Sequence, residues 1–225
     1  MKNIEKVPKE THREYALRAI KENIINLSLV PGSMISEQEI ASELNLSRTP
    51  VHEAMQELSK IKVIEVFPQK GSQVSLIDME LVEESVFIRS TLESAITQEA
   101  CKKATEDNIR ELQENISLQE FYNSKGNADK LLELDNKFHE TFYKIANKMQ
   151  CFYMVKMVSI HYDRYRKLKL VTRDRTGIIE EHKEILKAFE EKNVKKAKEL
   201  CIQHLQQLHI DEQDIRLKYP QYFKN

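Results

Sequence analysis

Apolar residues recur at helical spacing through the first third of the chain, which then passes into two alternating runs. Three segments carry apolar residues three and four positions apart, which predicts three helices. Their apolar positions are Tyr15, Ala16, Ala19, Ile20, Ile24 and Leu27 in the first, Ile40, Ala41 and Leu44 in the second, and Val51, Ala54, Met55 and Leu58 in the third. The segments "VIEVFP" and "SQVSLI" then alternate in the manner of two strands, and Gly71 in the intervening "QKG" suits a tight turn.

Capping signals separate the three helices. Ser36, with Glu39 three residues later, is typical of a capping box at the start of the second helix. Ser47 is the predicted N-cap of the third helix, and Pro50 is tolerated in its first turn because the missing N–H would have no helical partner there. The turn "LNLS" has the length found inside a helix-turn-helix unit. Helix, short helix, helix and hairpin therefore predict a winged helix-turn-helix domain over residues 1–76.

Chain-breaking residues become scarce beyond Gly71, which favours long helices. Only Gly126, Gly177 and Pro220 remain, while apolar positions continue at helical spacing. The six predicted helices run approximately over Met79–Ala104, Asp107–Tyr122, Asn127–Ala146, Cys151–Leu170, Thr176–Glu191 and Asn193–Leu217. The fold class is therefore mainly α, with the winged helix-turn-helix followed by an all-helical bundle over residues 77–225.

Composition limits where DNA could bind and where the protein works. The 35 Lys and Arg are balanced by 36 Asp and Glu, so DNA binding requires a local patch rather than a basic domain. The three cysteines are far apart, which predicts neither a disulfide framework nor a zinc knuckle. We find no apolar run of membrane-spanning length and no signal peptide pattern, so we expect a cytoplasmic protein without a membrane partner.

The third helix is the predicted DNA-reading element. In a winged helix-turn-helix this helix enters the major groove with its N-terminal residues at the base edges. Arg48 suits a guanine edge or a phosphate, and Lys70 at the wing tip suits the backbone or the minor groove. The full predicted DNA-binding set is Ser36, Gln38, Ser47, Arg48, Thr49, His52, Lys70 and Gly71. The alternative, a surface helix with ordinary caps, is disfavoured by the flanking helix and hairpin.

Four residues of the helical region have the spacing of a metal site. Asp135 and His139 lie one turn apart on the apolar face of one predicted helix. His182 lies ten residues before Lys192 and His204 lies twelve after it, so an antiparallel helix pair brings them level. One aspartate and three histidines suit zinc first, or nickel or manganese, with positions left open for water or a ligand. Any one of these histidines alone is better explained as a core residue, but the set favours a metal.

Two other hypotheses remain for such a metal. The site could activate water for hydrolysis, although no HExxH sequence, general base or Gly-rich phosphate loop accompanies it, so we do not expect an enzyme. The metal could also be purely structural and lock the helical bundle. Removing the metal separates the cases, because a structural site loses folding stability and a sensing site loses ligand affinity first.

The N-terminal segments "PGSMISEQEIASELNLSRTPVHEAMQEL" and "VIEVFPQKGSQVS" resemble the DNA-binding domain of GntR-family bacterial transcription regulators. The resemblance covers approximately residues 12–76. This chain has His52 where the family usually has Arg, and Gln38 where it often has Arg. The family's glycine before the first wing strand is also replaced, near Lys62. The two replaced arginines imply weaker binding or a different half-site.

The C-terminal segments "LDNKFHETFYKIANK" and "EEHKEILKAFEEKNVKKAKELCIQHL" are similar to the metal-binding version of the FCD domain, the effector domain of the FadR subfamily. This resemblance places metal ligands at Asp135, His139, His182 and His204. It implies a homodimer that binds a near-palindromic operator. The affinity of this dimer for DNA would be controlled by a small organic acid, such as a sugar acid or a carboxylate metabolite.

Arg89 is the residue that the resemblance assigns to the effector. The segment "IRSTLESAITQEA" is similar to the first helix of the FCD domain, and its Arg89 and Glu93 stand four residues apart. One interpretation is an exposed ion pair that contributes only about 0.3–0.5 kcal/mol. In the other, Arg89 faces a cavity and meets an effector carboxylate.

Overall fold

The N-terminal domain contains three helices and a small antiparallel sheet. The computed structural model describes residues 1–2, 4–172, 175–206 and 212–224. The N-terminal elements are α1 (His12–Ile25), β1 (Met34–Ile35), α2 (Glu37–Leu44), α3 (Arg48–Lys60), β2 (Ile64–Phe67) and β3 (Gly71–Val74). The strand order is β1-β3-β2, with Ile64 opposite Val74 and Met34 opposite Gln73. The predicted winged helix-turn-helix is confirmed.

Local capping explains where these helices begin and end. Thr11 and Glu14 form a capping box at α1, and the Ser36 hydroxyl accepts the Glu39 N–H at 3.5 Å at the start of α2. Asn45 ends α2 in the left-handed region, with φ 52°. Ser47 precedes α3 as predicted, but its side chain makes no capping hydrogen bond. Ser47 is exposed at the N-terminal end of α3, the predicted DNA-reading helix.

Strand β1 was not predicted from the sequence. Two residues are too few to show an alternating pattern, and they follow the turn at Gly32. The strand exists because β3 offers its free edge, and the pairing positions the start of α2 beside the wing. The sheet is therefore three-stranded rather than the predicted two-stranded hairpin.

The C-terminal region is helical throughout its regular elements. These elements are α4 (Met79–Lys103), α5 (Glu106–Ser124), α6 (Ala128–Ile145), α7 (Met149–Val158), α8 (Ile160–Thr172), α9 (Thr176–Glu190), α10 (Val194–Gln206), α11 (Glu212–Lys218) and a short 3-10 helix, Pro220–Tyr222. Asn193 caps α10 as expected, since its side chain accepts the Lys196 N–H at 3.1 Å. Residues 207–211 of the predicted sixth helix lie outside the described residues.

The prediction of one continuous helix over residues 151–170 was wrong, because this segment forms two helices. Ser159 separates α7 from α8, and its hydroxyl donates to the Val155 carbonyl at 2.7 Å. Such a bond to the carbonyl four residues earlier often bends a helix, although Ser85 makes the same bond inside the unbroken α4.

Helix α4 is central to the bundle, with α10 packed along it and α6 and α8 against it. Helix α8 also contacts α1 of the N-terminal domain, and Ile160 packs in the apolar core of that domain. At the other end of the chain, Ile77 and Phe223 form a parallel bridge. None of the described helices has the length and apolar character needed to cross a membrane.

Lys62 stands near the place of the family's glycine and has a left-handed backbone, with φ 59°. A residue other than glycine in this region costs roughly 1–2 kcal/mol in the folded protein. Replacement by glycine removes this cost, but part of the gain is lost because glycine has more conformational freedom in the unfolded chain. The Lys62 side chain is exposed, and its N–H donates to the Ser59 carbonyl at 3.0 Å. We therefore expect Lys62→Gly to raise the free energy of unfolding by about 1 kcal/mol in chemical denaturation.

The matched control is Lys60→Gly, in the last turn of α3. Glycine there should lower the free energy of unfolding by up to about 1 kcal/mol, because the position is helical. A Lys62→Gly protein that is no more stable than wild type would contradict the strain at this turn.

Candidate metal centre and nucleic-acid interface

Three helices bring the four predicted ligands to one point. Helix α6 supplies Asp135 and His139, α9 supplies His182 and α10 supplies His204. One potential ligand atom from each residue lies within 4.8 Å of all the others. The His139 and His204 Nε2 atoms are 3.2 Å apart, and His182 Nε2 is 3.8 Å from Asp135 Oδ1.

The local sequence explains this convergence. The four-residue spacing in α6 places Asp135 and His139 on one face. The chain reverses at Lys192, whose φ is 53°, and α9 and α10 then pack against each other. The His182 and His204 rings come level, with centroids 4.7 Å apart.

Each histidine has an oxygen beside the ring nitrogen that faces away from the centre. Nδ1 of His139 lies 2.9 Å from Glu93 Oε2. Nδ1 of His182 lies 2.8 Å from Gln119 Oε1, and that of His204 lies 2.6 Å from Glu181 Oε2. The acceptors beside His182 and His204 favour the tautomer with hydrogen on Nδ1, so the Nε2 lone pairs of these two rings face the centre. Nδ1 of His139 is close to Glu93 but makes no hydrogen bond of good geometry with a described residue.

Sequence reasoning named Glu93 only as the partner of Arg89, and it did not name Gln119 or Glu181. Glu93 and Gln119 are 2% and 1% exposed. A polar residue on the buried face of a predicted helix was the available signal, since such a residue requires a partner. Glu181 is less buried, and no signal in the sequence distinguished it from its neighbour Glu180.

The electrostatics favour a cation at the centre. Burial lowers the pKa of His182 well below its ordinary value, and the nearby His204 adds to the shift. Burial also lowers the pKa of His139, although Glu93 opposes it. Burial alone raises the pKa of Asp135, but Arg166 and the histidines outweigh it and hold that pKa well below its usual range. One carboxylate and neutral imidazoles are the protonation states in which these groups ligate metals.

One buried atom tests whether the residues fit a metal. His182 Nε2 is buried and has no hydrogen-bond partner among the described residues. Buried polar atoms without a partner are rare in proteins, because no hydrogen bond compensates the free-energy cost of removing them from water. In addition, with hydrogen on Nδ1 of both rings, the Nε2 lone pairs of His139 and His204 would face each other at 3.2 Å and repel unless a cation lay between them. The donor set fits a divalent transition metal.

A cavity of about 40 Å³ opens beside the four residues. A cavity needs roughly 10–15 Å³ to hold one water, so this space suits a metal ion with a few oxygen ligands. Three of the four ligands line it, together with Arg89, Tyr162, Arg166, Lys169, Leu170, Ile178 and Glu181. The cavity wall is thus rich in cationic side chains.

Arg89 lies on this cavity, and the exposed ion-pair interpretation was wrong. Its Nε donates to Glu93 Oε1 at 2.8 Å, and Arg89 is 5% exposed. The guanidinium carbons of Arg89 and Arg166 each lie 5.4 Å from the centre of the Tyr162 ring. The contact of Arg89 with an effector stays a prediction.

Four of the eight predicted DNA-binding residues line one open groove, namely Ser36, Arg48, Lys70 and Gly71. Ser47 and Thr49 are exposed on either side of Arg48, and Gln38 is exposed in the first turn of α2. His52 is also exposed, and its Nδ1 lies 2.7 Å from Glu37 Oε1. Glu37 and Glu39 line the same groove, so the basic patch is local and small.

Known proteins match the chain over both regions. Residues 13–74 match the gntR family of bacterial regulatory proteins, and residues 84–207 match the FCD domain. The HTH-type transcriptional repressor RspR of Escherichia coli K12 is 26% identical over 220 residues, covering 96% of this chain and 95% of that protein. An uncharacterized HTH-type transcriptional regulator of Streptomyces ambofaciens is 28% identical over 222 residues, covering 95% and 90%.

Solved structures share the fold. Escherichia coli McbR/YncC has a TM-score of 0.77 at 20% identity, covering 94% of this chain and 99% of that one. A GntR family member from Pseudomonas syringae pv. tomato has a TM-score of 0.52 at 21% identity, covering 94% and 91%.

The matched families and these relatives are regulators of transcription and not enzymes, so the hydrolytic alternative does not describe this protein. The chain belongs to the GntR family of bacterial regulatory proteins and carries a C-terminal FCD domain, and it is a DNA-binding transcription regulator.

Proposed function

We propose that this regulator responds to a small organic acid bound at a metal centre in its helical domain. The observation that carries the proposal is the convergence of three imidazole Nε2 atoms and one carboxylate beside a cation-lined cavity. The N-terminal domain, residues 1–76, binds the operator, and residues 77–225 bind the effector and dimerise. Because operator DNA lies in the cytoplasm, we place the protein there.

Asp135, His139, His182 and His204 would hold the metal, with zinc favoured and nickel or manganese as alternatives. When bound, the metal supplies a fixed positive charge and open positions for oxygen ligands such as a carboxylate. Glu93, Gln119 and Glu181 orient the three imidazoles.

The cavity supports an anionic effector of small size. Arg89, Arg166 and Lys169 lie on its wall, and a carboxylate is the group that guanidinium donors bind in bidentate fashion. A guanidinium has five N–H donors. Arg89 directs only its Nε and Nη2 atoms at Glu93, so donors remain for an effector.

An apolar face supports the homodimer. Helices α4 and α7 contact each other and expose a group of large apolar side chains. These are Phe87 and Ile88 from α4 and Tyr153, Met154, Met157 and Val158 from α7. A monomer rarely exposes such a group, and a two-fold dimer would present two α3 helices to the half-sites of a near-palindromic operator.

Arg48 provides the test of DNA binding. We expect Arg48→Ala to raise the dissociation constant for a genomic fragment retained by the wild-type protein by about tenfold or more, since a specific arginine contact is worth roughly 1–3 kcal/mol. Fluorescence anisotropy at one salt concentration measures the change. Arg13→Ala is the control, because Arg13 is an exposed arginine of the same domain paired with Glu57. Equal binding by Arg48→Ala and wild type would show that the DNA-reading helix is misassigned.

Metal content provides the test of the centre. Protein purified without chelator or metal-affinity tag should contain about one transition metal per chain by mass spectrometry. The double variant His139→Ala, His182→Ala should contain none, because half of the ligands are removed. His12→Ala, at an exposed histidine, should keep the metal. If wild type binds neither zinc nor nickel when both are offered, the histidines are ordinary core residues.

Glu181 provides a finer test of the same centre. We expect Glu181→Gln to weaken metal binding by about 10- to 100-fold, since the carboxylate lies 2.6 Å from His204 Nδ1 and orients the ring. Competition with a chelator of known affinity measures this change. Glu180→Gln is the matched control on the same helix, because Glu180 is exposed and pairs with Lys183. Similar affinities for the two variants would rule out an orienting role for Glu181.

A further inference from the structure

We infer that helix α8 couples the metal cavity to the DNA-binding domain, with Arg164 as the coupling residue. The inference rests on the proposed function, because it assigns the route by which a change at the cavity reaches the DNA. Helix α8 supplies side chains both to the cavity wall and to hydrogen bonds with backbone carbonyls of the N-terminal domain.

Two faces of α8 point to these two places. Tyr162, Arg166 and Lys169 stand at intervals of four and three residues and line the cavity. His161 and Arg164 stand three residues apart on another face and meet the N-terminal third of the chain. A rotation or shift of this helix therefore changes both sets of contacts together.

The cavity face is tied to a candidate metal ligand. Arg166 forms an ion pair with Asp135, and its Nη1 lies 2.9 Å from Asp163 Oδ1. Arg166 and a bound metal would both be attracted to the same Asp135 carboxylate. Occupation of the centre consequently alters the attraction that holds Arg166, and with it the position of α8.

The opposite face grips the DNA-binding domain at two points. Arg164 Nη1 donates to the Ser75 carbonyl at 2.7 Å, and Nη2 donates to His161 Nδ1 at 2.9 Å. His161 Nε2 in turn donates to the Ile61 carbonyl at 2.8 Å. Ile61 is the C-cap of α3, and Ser75 follows the last wing strand. The contacts thus hold the end of the DNA-reading helix and the exit from the wing.

The free energy gained from these hydrogen bonds is opposed by the cost of burying the Arg164 charge. A conformational switch requires such opposing contributions. Arg164 is 0% exposed and has no carboxylate partner among the described residues, and its Nε is buried without any partner. Burial lowers the pKa of Arg164 to about 10. Charged hydrogen bonds favour the docked domain and desolvation of an uncompensated charge opposes it. The desolvation cost lowers the net free energy of docking, and a small net free energy is the condition under which a modest differential affinity shifts the population.

Hydrogen–deuterium exchange of the full chain, with zinc as the probe, tests the coupling. In the wild-type protein we expect zinc to change exchange in residues 59–63 and 73–77 by about fivefold or more, the lower end of usual coupling factors. Arg164→Met should abolish this change while zinc affinity and zinc-dependent protection of α6 and α9 persist. A merely structural Arg164 would alter exchange at these segments equally with and without zinc.

Lys167→Met is the matched control. It removes one charge from the same helix one turn later, but Lys167 pairs with Asp129 of α6, so the zinc response at both segments should remain. If Arg164→Met fails to fold, Arg164→Lys shortens the contact and should reduce the response. Zinc bound by wild type with no response at either segment overturns the inference alone. No zinc binding overturns the metal centre, and the inference with it.

Discussion

The structure is organised around polar groups that must be satisfied inside an apolar bundle. Three imidazoles and a carboxylate occupy the place where α6, α9 and α10 meet, and the Nε2 atoms of His139 and His204 face each other at 3.2 Å. Gln119 and Glu181 hold the outer ring nitrogens of His182 and His204 by hydrogen bonds, and Glu93 lies beside that of His139, so the three Nε2 atoms face the Asp135 carboxylate and one another. A divalent cation bound among them would satisfy all four groups together.

The charges around this centre also connect it to the rest of the molecule. Asp135 is paired with Arg166, His139 faces Glu93, and Glu93 faces Arg89. Any change in the charge at the centre is therefore felt by two arginines on the cavity wall. Arg166 belongs to α8, which also contacts the N-terminal domain, and this placement is the basis of the proposed coupling between the two domains.

Spacing along single helices made the proximity of the four candidate ligands predictable. Asp135 and His139 share a face of α6 however that helix packs, because they are about one turn apart. His182 and His204 come level because α9 and α10 rise equally per residue on either side of the chain reversal at Lys192. The break at Ser159 was not predictable in the same way, since the apolar pattern continues through it. A serine hydroxyl bonds to the carbonyl of Val155 there, and no count of apolar residues contains that information.

The sequence by itself determined the winged helix-turn-helix, the helical character of the rest of the chain, the two pairs of candidate ligands and the residues at the N-terminal end of α3, because these depend on contacts within one element or between neighbours in the chain. Tertiary structure alone decided which oxygens orient the imidazoles, that the Arg89–Glu93 pair is buried, and that α8 links the two domains. Those relations join residues as distant as Ser75 and Arg164. Their geometry depends on how whole helices pack, and local periodicity carries no record of it.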